Sequence, residues 1–199
     1  MAALGSLGLG GIAHMITKQE ILDFAGDWSL GPNVVEKDYF IGWLLAKIYE
    51  HPDLASSFIF KGGTCLKKCY FETYRFSEDL DFSVTNVELL DEGRLVEMFQ
   101  GVVSSLYEET GIEARPQDLR FEILENPRGG RSCEGRIYYL GPLRMERGGR
   151  ARVKLDLAAD ELVTNDPVAM PISHPYSDAP APPRSAGGGT RVRLPCEHS

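Results

Sequence analysis

A glycine pair followed by a doubled carboxylate constrains this chain more than any other feature. The pair, Gly62-Gly63, ends a short apolar segment and precedes a segment with helical spacing. Farther on, Asp79 and Asp81 flank the apolar Leu80, and the alternation that begins there has the period of a half-buried strand. Glycine interrupts the first segment because it adopts turn conformations that other residues avoid. We therefore expect a strand, a turn, a helix and a second strand in this order.

The rest of the chain continues this mixed pattern. Thr17 and Asn33 are candidate N-caps of two early helices, and residues 88–110 form an amphipathic pattern that stops at Gly111. Strand-like segments follow at 119–124, 136–140 and 151–157, separated by glycines. The chain has 199 residues, of which 43% are hydrophobic, enough for one domain with a core. The pattern predicts an α/β fold in which helices pack on a mixed sheet.

Composition divides the chain into three parts. Residues 1–14 are apolar and glycine-rich without a basic segment before them, so we expect a disordered extension rather than a secretory signal. Residues 15–178 form the predicted domain, and residues 179–199 form a predicted proline- and glycine-rich tail. No apolar run is long enough to cross a membrane. The four cysteines lack zinc-site spacing and favour a reducing, cytoplasmic location.

The aspartate pair is a candidate metal site. Asp79 and Asp81 are two residues apart on a strand, so both project from one face and repel unless a cation lies between them. Oxygen ligands of this kind suit Mg²⁺, which usually brings phosphate with it. Asp156 is the candidate third metal ligand and Lys154 its catalytic neighbour, because they share one side of a strand-like segment. Alternatives are an acidic strand end facing water, or the paired aspartates of sugar-nucleotide glycosyltransferases.

The glycine turn is a candidate nucleotide-binding site. Glycine lets the backbone approach a phosphate closely, and the free N–H groups of a helix start favour an anion. The predicted nucleotide-binding residues are Lys61, Gly62, Gly63 and Thr64, and Lys67 and Lys68 are expected to add positive charge. An ordinary tight turn is the alternative. Together with the aspartates, the turn predicts transfer of a nucleotidyl group from a nucleoside triphosphate.

Basic residues are concentrated in one segment of an otherwise acidic chain. The net charge is −8, yet residues 128–154 carry eight arginines and lysines against Glu134 and Glu146. Such a segment can bind the phosphates of RNA on one face of the protein. A solvated hairpin or a patch for an acidic protein partner would have the same composition. The candidate RNA-binding residues are Arg131, Arg136, Arg144, Arg147 and Arg150.

Several blocks of the sequence resemble one known family, the AbiEii nucleotidyltransferase toxins, which include the MenT toxins of mycobacteria. The resemblance covers roughly residues 15–178 and is carried by Val35-Glu-Lys-Asp-Tyr39, Lys61-Gly-Gly-Thr-Cys-Leu-Lys-Lys-Cys-Tyr70, Arg75-Phe-Ser-Glu-Asp-Leu-Asp-Phe82, Val153-Lys-Leu-Asp156 and His174-Pro-Tyr-Ser-Asp178. It implies a polymerase-beta-like nucleotidyltransferase core. Gly63 and Thr64 then correspond to the family's nucleotide-binding motif, and Asp79 and Asp81 to its metal-binding pair.

The resemblance also implies a biological role. MenT members add nucleotides, often pyrimidines, to the 3′ end of tRNA and so block translation, and each toxin has a cognate antitoxin protein. Such toxins usually continue into a helical half, so the sequence predicts a short member that lacks it. Two alternatives remain open at this point. One is a module that binds nucleotide, RNA or antitoxin without chemistry, and the other is transfer of a nucleotide to protein hydroxyls.

Overall fold

A computed structural model of the protein describes residues 15–70, 78–127, 129–144, 150–159, 166–178 and 191–194. The α-helices within them are α1 (Lys18–Asp27), α2 (Pro32–Glu50), α3 (Pro52–Ser57), α4 (Gly62–Cys69) and α5 (Glu92–Thr110). The strands are β1 (Phe58–Lys61), β2 (Asp79–Val84), β3 (Leu119–Glu125), β4 (Arg131–Tyr139), β5 (Ala151–Ala158), β6 (Val168–Pro171) and β7 (Arg191–Leu194). None of these helices is both long and apolar enough to span a membrane.

The first five strands form one mixed sheet, in the order β1-β2-β5-β4-β3. Strands β2 and β5 are parallel, whereas the other neighbouring pairs in this sheet are antiparallel. A parallel pair needs a crossover connection, and the chain between β2 and β5 makes it through α5 and the β3–β4 hairpin. The expected mixed sheet with flanking helices is confirmed, and its order places the aspartate-bearing strand β2 inside the sheet.

Helices α2 and α5 cover one face of this sheet. Phe40 of α2 stacks on Tyr139 of β4 with ring centroids 3.8 Å apart, and Phe99 of α5 lies 5.0 Å from Phe121 of β3. All four side chains are buried, and burying an apolar side chain of this size stabilises the fold by roughly 1.5–3 kcal/mol. Strand β5 alternates buried and half-buried positions, so its second set of side chains lies on the opposite face.

The helix ends test the expectations about caps. The Thr17 hydroxyl accepts the Glu20 N–H at 3.2 Å and caps α1, and Gly111 ends α5 in the left-handed conformation, so both expectations are confirmed. The expectation that Asn33 caps the next helix is wrong, because α2 begins at Pro32 without a side-chain cap. Proline at the first position has no N–H to satisfy and already has a helical φ, which makes a side-chain cap unnecessary.

A buried ion pair joins α2 to α4. The Lys68 Nζ lies 2.8 Å from Asp38 Oδ2, and both residues are buried. The same ammonium donates to the carbonyl oxygens of Asp38 and Ser173, and the Tyr176 hydroxyl donates to Asp38 Oδ2 at 3.0 Å. The expectation that Lys68 adds charge for phosphate binding is therefore wrong. Its donors are used inside the protein, where they hold the segment 172–178 against the two helices.

A second, two-stranded sheet pairs β6 with β7 in antiparallel register. Strand β7 lies against β1 and α2, and its Val192 and Leu194 are buried in the core. These residues belong to the segment that composition assigns to the tail, so this part of it packs on the domain. The extension 1–14 and residues 179–190 and 195–199 lie outside the described residues, and the domain boundaries stay a prediction.

Candidate active site

Charged side chains line the sheet face opposite α2 and α5, which we call the polar face. The polar face includes Asp79, Asp81, Glu134, Arg136, Lys154 and Asp156. One row across this face takes a residue from each of four strands and pairs Lys61 with Asp81, Asp81 with Asp156, and Asp156 with Glu134. Strand β5 is therefore the neighbour expected to bring Asp156 beside the aspartate pair.

We call this first row the acidic row. The adjacent row, which we call the basic row, forms ion pairs with it. It pairs Asp79 with Lys154, and Lys154 with Arg136. The Lys154 Nζ lies 3.0 Å from Asp156 Oδ1 and 3.6 Å from Glu134 Oε1, and Arg136 donates to Glu134 Oε2 at 2.7 Å. The two rows thus form one network in which every carboxylate of the acidic row lies close to a cation or to another carboxylate.

The electrostatics of the acidic row favour a bound cation. Partial burial and the nearby charge of Asp156 raise the pKa of the Asp81 carboxyl above its usual range, although Lys61 acts in the opposite direction. The hydrogen bond to Asp156 raises the pKa of the Lys154 ammonium, so this lysine stays charged. A further positive charge close to Asp81 and Asp156 would therefore stabilise the two crowded carboxylates.

The donor set fits Mg²⁺ through two residues. This ion usually takes one or two protein carboxylates and completes its octahedral shell with phosphate and water, so adjacent Asp81 and Asp156 are suitable ligands. Within the described stretches, no three His, Cys, Asp or Glu side chains could hold one ion, so the three aspartates do not converge on one point. Asp156 is turned instead to Lys154. The metal centre made of Asp79, Asp81 and Asp156 stays a prediction.

The glycine turn lies against the acidic row. Gly62 begins α4 with a φ of 75°, in the left-handed region that favours glycine. A Cβ atom at this position would lie 2.1 Å from Asp81 Oδ2, so only glycine allows the backbone to pass so close to the carboxylate. The first N–H groups of a helix have no partner within the helix and are ready to bind an anion. The start of α4 therefore meets the carboxylates at one point.

A Gly62→Ala variant tests this contact. We expect it to lower the free energy of unfolding by roughly 1–3 kcal/mol, because alanine is strained at positive φ and its methyl group displaces Asp81. Thermal unfolding measures the loss. The matched control is Gly101→Ala in α5, where nothing lies within 4 Å of the added Cβ. We expect the free energy of unfolding of the control to rise by about 0.8–1 kcal/mol, because alanine has a higher helix propensity than glycine. Equal stability of the two variants would contradict the contact.

The hydroxyl of Thr64 makes a hydrogen bond within the protein. The residue is buried, and its hydroxyl donates to the backbone carbonyl of Asp79. This hydrogen bond fastens the first turn of α4 to the start of β2, so the hydroxyl proton is used within the protein. Lys67 lies on the same helix with its ammonium 6.0 Å from the Trp28 ring centroid. The nucleotide-binding role of Lys61, Gly62, Gly63 and Thr64 stays a prediction.

Two cavities lie on the polar face and share one lining residue, Glu134. The first, of about 390 Å³, contains Lys61, Asp81 and Asp156 together with apolar side chains such as Leu124. We call it the nucleotide cavity, after the candidate nucleotide-binding residue Lys61 that lines it. The second, of about 460 Å³, is lined by charged residues: Lys37, Glu78, Asp79, Glu134, Arg136, Arg152 and Lys154. We call it the basic cavity. A two-substrate reaction needs two neighbouring sites of this kind.

The predicted RNA-binding arginines are dispersed. Arg136 lines the basic cavity, but Arg144 pairs with Glu113 at 2.8 Å and Arg150 pairs with Asp118. Arg131 is exposed at the other end of β4 and contributes to neither cavity. Arg147 lies outside the described residues. The four predicted arginines that the structure describes therefore do not form one surface, because alternation along β4 and local ion pairs direct them to different places.

Four charged residues of the basic cavity were not among the candidate site residues, namely Lys37, Glu78, Glu134 and Arg152. Glu134 lies two residues from Arg136 and Arg152 lies two residues from Lys154 on alternating strands, so spacing alone places both on the polar face. Lys37 comes from α2, which is far away in sequence. No local pattern could have identified it, since its position depends on how the helix packs on the sheet.

Comparison with known proteins agrees with this geometry. The family model described as the nucleotidyl transferase AbiEii toxin of type IV toxin–antitoxin systems matches residues 43–196, which is more than half of the chain. A search of the curated proteins found no significant match. The matched region contains the glycine turn, the aspartate pair and both strands that carry the rest of the polar face. This chain belongs to the AbiEii family of nucleotidyl transferase toxins, and its mixed α/β fold is a nucleotidyltransferase core.

Proposed function

We propose that this protein is the toxin of a toxin–antitoxin pair and transfers a nucleotide to the 3′ end of tRNA. The donor is a nucleoside triphosphate, for which we propose a pyrimidine, and the reaction depends on Mg²⁺. The added nucleotide blocks the acceptor end and stops translation. The reaction takes place in the cytoplasm, and a cognate antitoxin protein restrains it.

One observation carries this proposal. The backbone of Gly62 passes so close to the Asp81 carboxylate that a phosphate at the start of α4 and a cation on Asp81 would be direct neighbours. That arrangement suits a nucleotide that arrives with its metal ion. The family's transferase chemistry supports the same assignment.

The residues in and around the nucleotide cavity have separate roles in the proposal. The N–H groups of Gly62 and Gly63 bind phosphate oxygens, and Lys61 adds a positive charge beside them. Asp81 and Asp156 hold Mg²⁺ in the proposal, with Asp79 at the edge of the site. Lys154 reaches Asp156 from the basic row and offers its ammonium to the developing negative charge.

The reaction is an in-line displacement at the α-phosphate. The oxygen of the RNA 3′-hydroxyl forms a bond to the α-phosphorus and its proton passes to water, the bond from this phosphorus to the bridging oxygen of the β-phosphate breaks, and pyrophosphate leaves. Mg²⁺, when bound, neutralises phosphate charge and makes the attacking hydroxyl more acidic. The protein contributes mainly by positioning the two substrates and by stabilising charge.

A labelling experiment tests the proposed function. Purified protein is incubated with each of four labelled nucleoside triphosphates, with and without total tRNA, and with Mg²⁺ or a chelator. We expect one or two pyrimidine nucleotides to label tRNA only when Mg²⁺ is present. Periodate oxidation of the tRNA 3′ end beforehand should abolish labelling, because it destroys the attacking hydroxyl.

The other outcomes separate the alternatives. Labelling of a protein fraction instead of tRNA would show transfer to protein hydroxyls and overturn the RNA assignment. Nucleotide binding without any labelled product would favour a binding module. Labelling that persists in chelator at the same rate would overturn the Mg²⁺ dependence.

A further inference from the structure

The basic cavity contains a cluster of cations brought together from three elements. Lys37 comes from α2, Arg136 from β4, and Arg152 and Lys154 from β5. Three carboxylates share the cavity, so the cations are in excess by one even before a metal ion neutralises any aspartate. A volume of about 460 Å³ is within the usual range for a small-ligand site.

The four cations differ in how strongly the protein engages them. Lys37 pairs with Glu78, and Arg136 and Lys154 share Glu134. Arg152 is exposed and forms no side-chain hydrogen bond or ion pair with any described residue. A guanidinium with no partner among the described residues, beside three further cations, is well suited to a phosphodiester, whose two free oxygens accept its planar donors.

We propose that the basic cavity binds the backbone phosphates of the single-stranded 3′ end of the acceptor RNA, with Arg152 as its main contact. This inference rests on the proposed function, since it names the position of that reaction's second substrate. Single-stranded RNA ends are held chiefly by positively charged grooves that follow the backbone.

The residues that line the two cavities indicate which substrate binds in which cavity. Lys61, next to the glycine turn, lines the nucleotide cavity and not the basic cavity. Asp81 and Asp156 line the former, whereas Asp79 lines the latter. A nucleotide in the first cavity and an RNA end in the second would therefore be neighbours, because Glu134 lines both cavities.

Binding of RNA without reaction provides the test. The probe is a fluorescent, short single-stranded RNA that ends in a 3′-deoxynucleotide and so cannot accept a nucleotide. We expect Arg152→Ala to raise the Kd of this probe about tenfold, the effect of losing one charge-assisted hydrogen bond. We also expect it to reduce the slope of log Kd against log salt by about 0.7 for the lost cation. Lys37→Met should act in the same direction.

A charge-matched variant controls for net charge. Arg94 is exposed on α5, which packs on the opposite face of the sheet, so Arg94→Ala should leave the Kd of the probe unchanged. In the transfer assay, Arg152→Ala should raise the KM for RNA and leave the KM for the nucleotide unaltered. Because Arg152 is exposed and makes no ion pair with the described residues, circular dichroism and thermal unfolding of the variant should match the wild type.

Each result has a distinct meaning. A raised KM for the nucleotide with unchanged RNA binding would assign the cavity to the triphosphate and overturn the inference. Equal effects of Arg152→Ala and Arg94→Ala, or a wild-type protein that does not bind the probe, would also overturn it. Probe binding that depends on Arg152 in a protein that transfers no nucleotide would support the subsite while refuting the proposed function.

Discussion

The Asp81→Asn variant should lose nucleotidyl transfer by at least about a hundredfold, the scale of removing one group that stabilises transition-state charge. Asparagine keeps the shape of the side chain but removes the charge that lies beside Asp156 and against the Gly62 backbone. Initial rates of tRNA labelling at saturating nucleotide measure the loss. Asp53→Asn, an exposed change in α3, should keep the full rate.

The same variant should fold at least as well as the wild type. Burial and Asp156 raise the pKa of Asp81, so the folded protein holds this proton more tightly than the unfolded chain does. The resulting contribution to the free energy of unfolding is complete below the ordinary carboxyl pKa and is lost as pH rises through the raised pKa of Asp81. Asparagine cannot ionise, so the variant does not lose stability in this way at neutral pH. Chemical denaturation at neutral pH should show equal or greater stability, and lower stability would mean that misfolding explains the lost activity.

Loss of the buried ion pair should have the largest effect on stability. Asp38→Ala leaves the Lys68 ammonium buried without its carboxylate, and the free energy of unfolding should fall by about 3–5 kcal/mol. For a chain of this size, the melting temperature should fall by roughly 2–4 °C for each of these kcal/mol. Differential scanning calorimetry measures both quantities. The Tyr176 hydroxyl loses one of its two acceptors and keeps the carbonyl oxygen of Val35 at 3.1 Å.

Two further variants separate the ion pair from general damage to α2. Lys37 is the helix neighbour of Asp38, but its pair with Glu78 is partly exposed, so Lys37→Met should cost no more than about 1 kcal/mol. The double variant Asp38→Asn with Lys68→Met removes both charges. Its free energy of unfolding should fall by much less than the sum of the decreases measured for Asp38→Asn alone and Lys68→Met alone. Strictly additive losses would show that the two side chains are not coupled.

Local patterns predicted the parts of the site that depend on neighbouring residues. The alternation at Asp79 and Asp81 placed both on one sheet face, and the glycine pair marked the start of a helix, since both follow from backbone geometry. Thr64 shows where such reasoning ends. Its place in the glycine turn predicted a nucleotide ligand, which stays a prediction, but gave no sign of the hydrogen bond from its hydroxyl to a residue on the next strand.

The sequence alone determined the α/β class, the strand that carries the aspartates and the turn beside them, because these features depend on residue spacing along a few turns or strands. Only the tertiary structure decided that β5 lies between β2 and β4, which puts Asp156 beside Asp81 and Glu134. Packing likewise buried Lys68 and brought Lys37 to the basic cavity. Strand order and burial result from contacts between distant segments, and no local spacing encodes which lysine ends in the core and which faces a ligand.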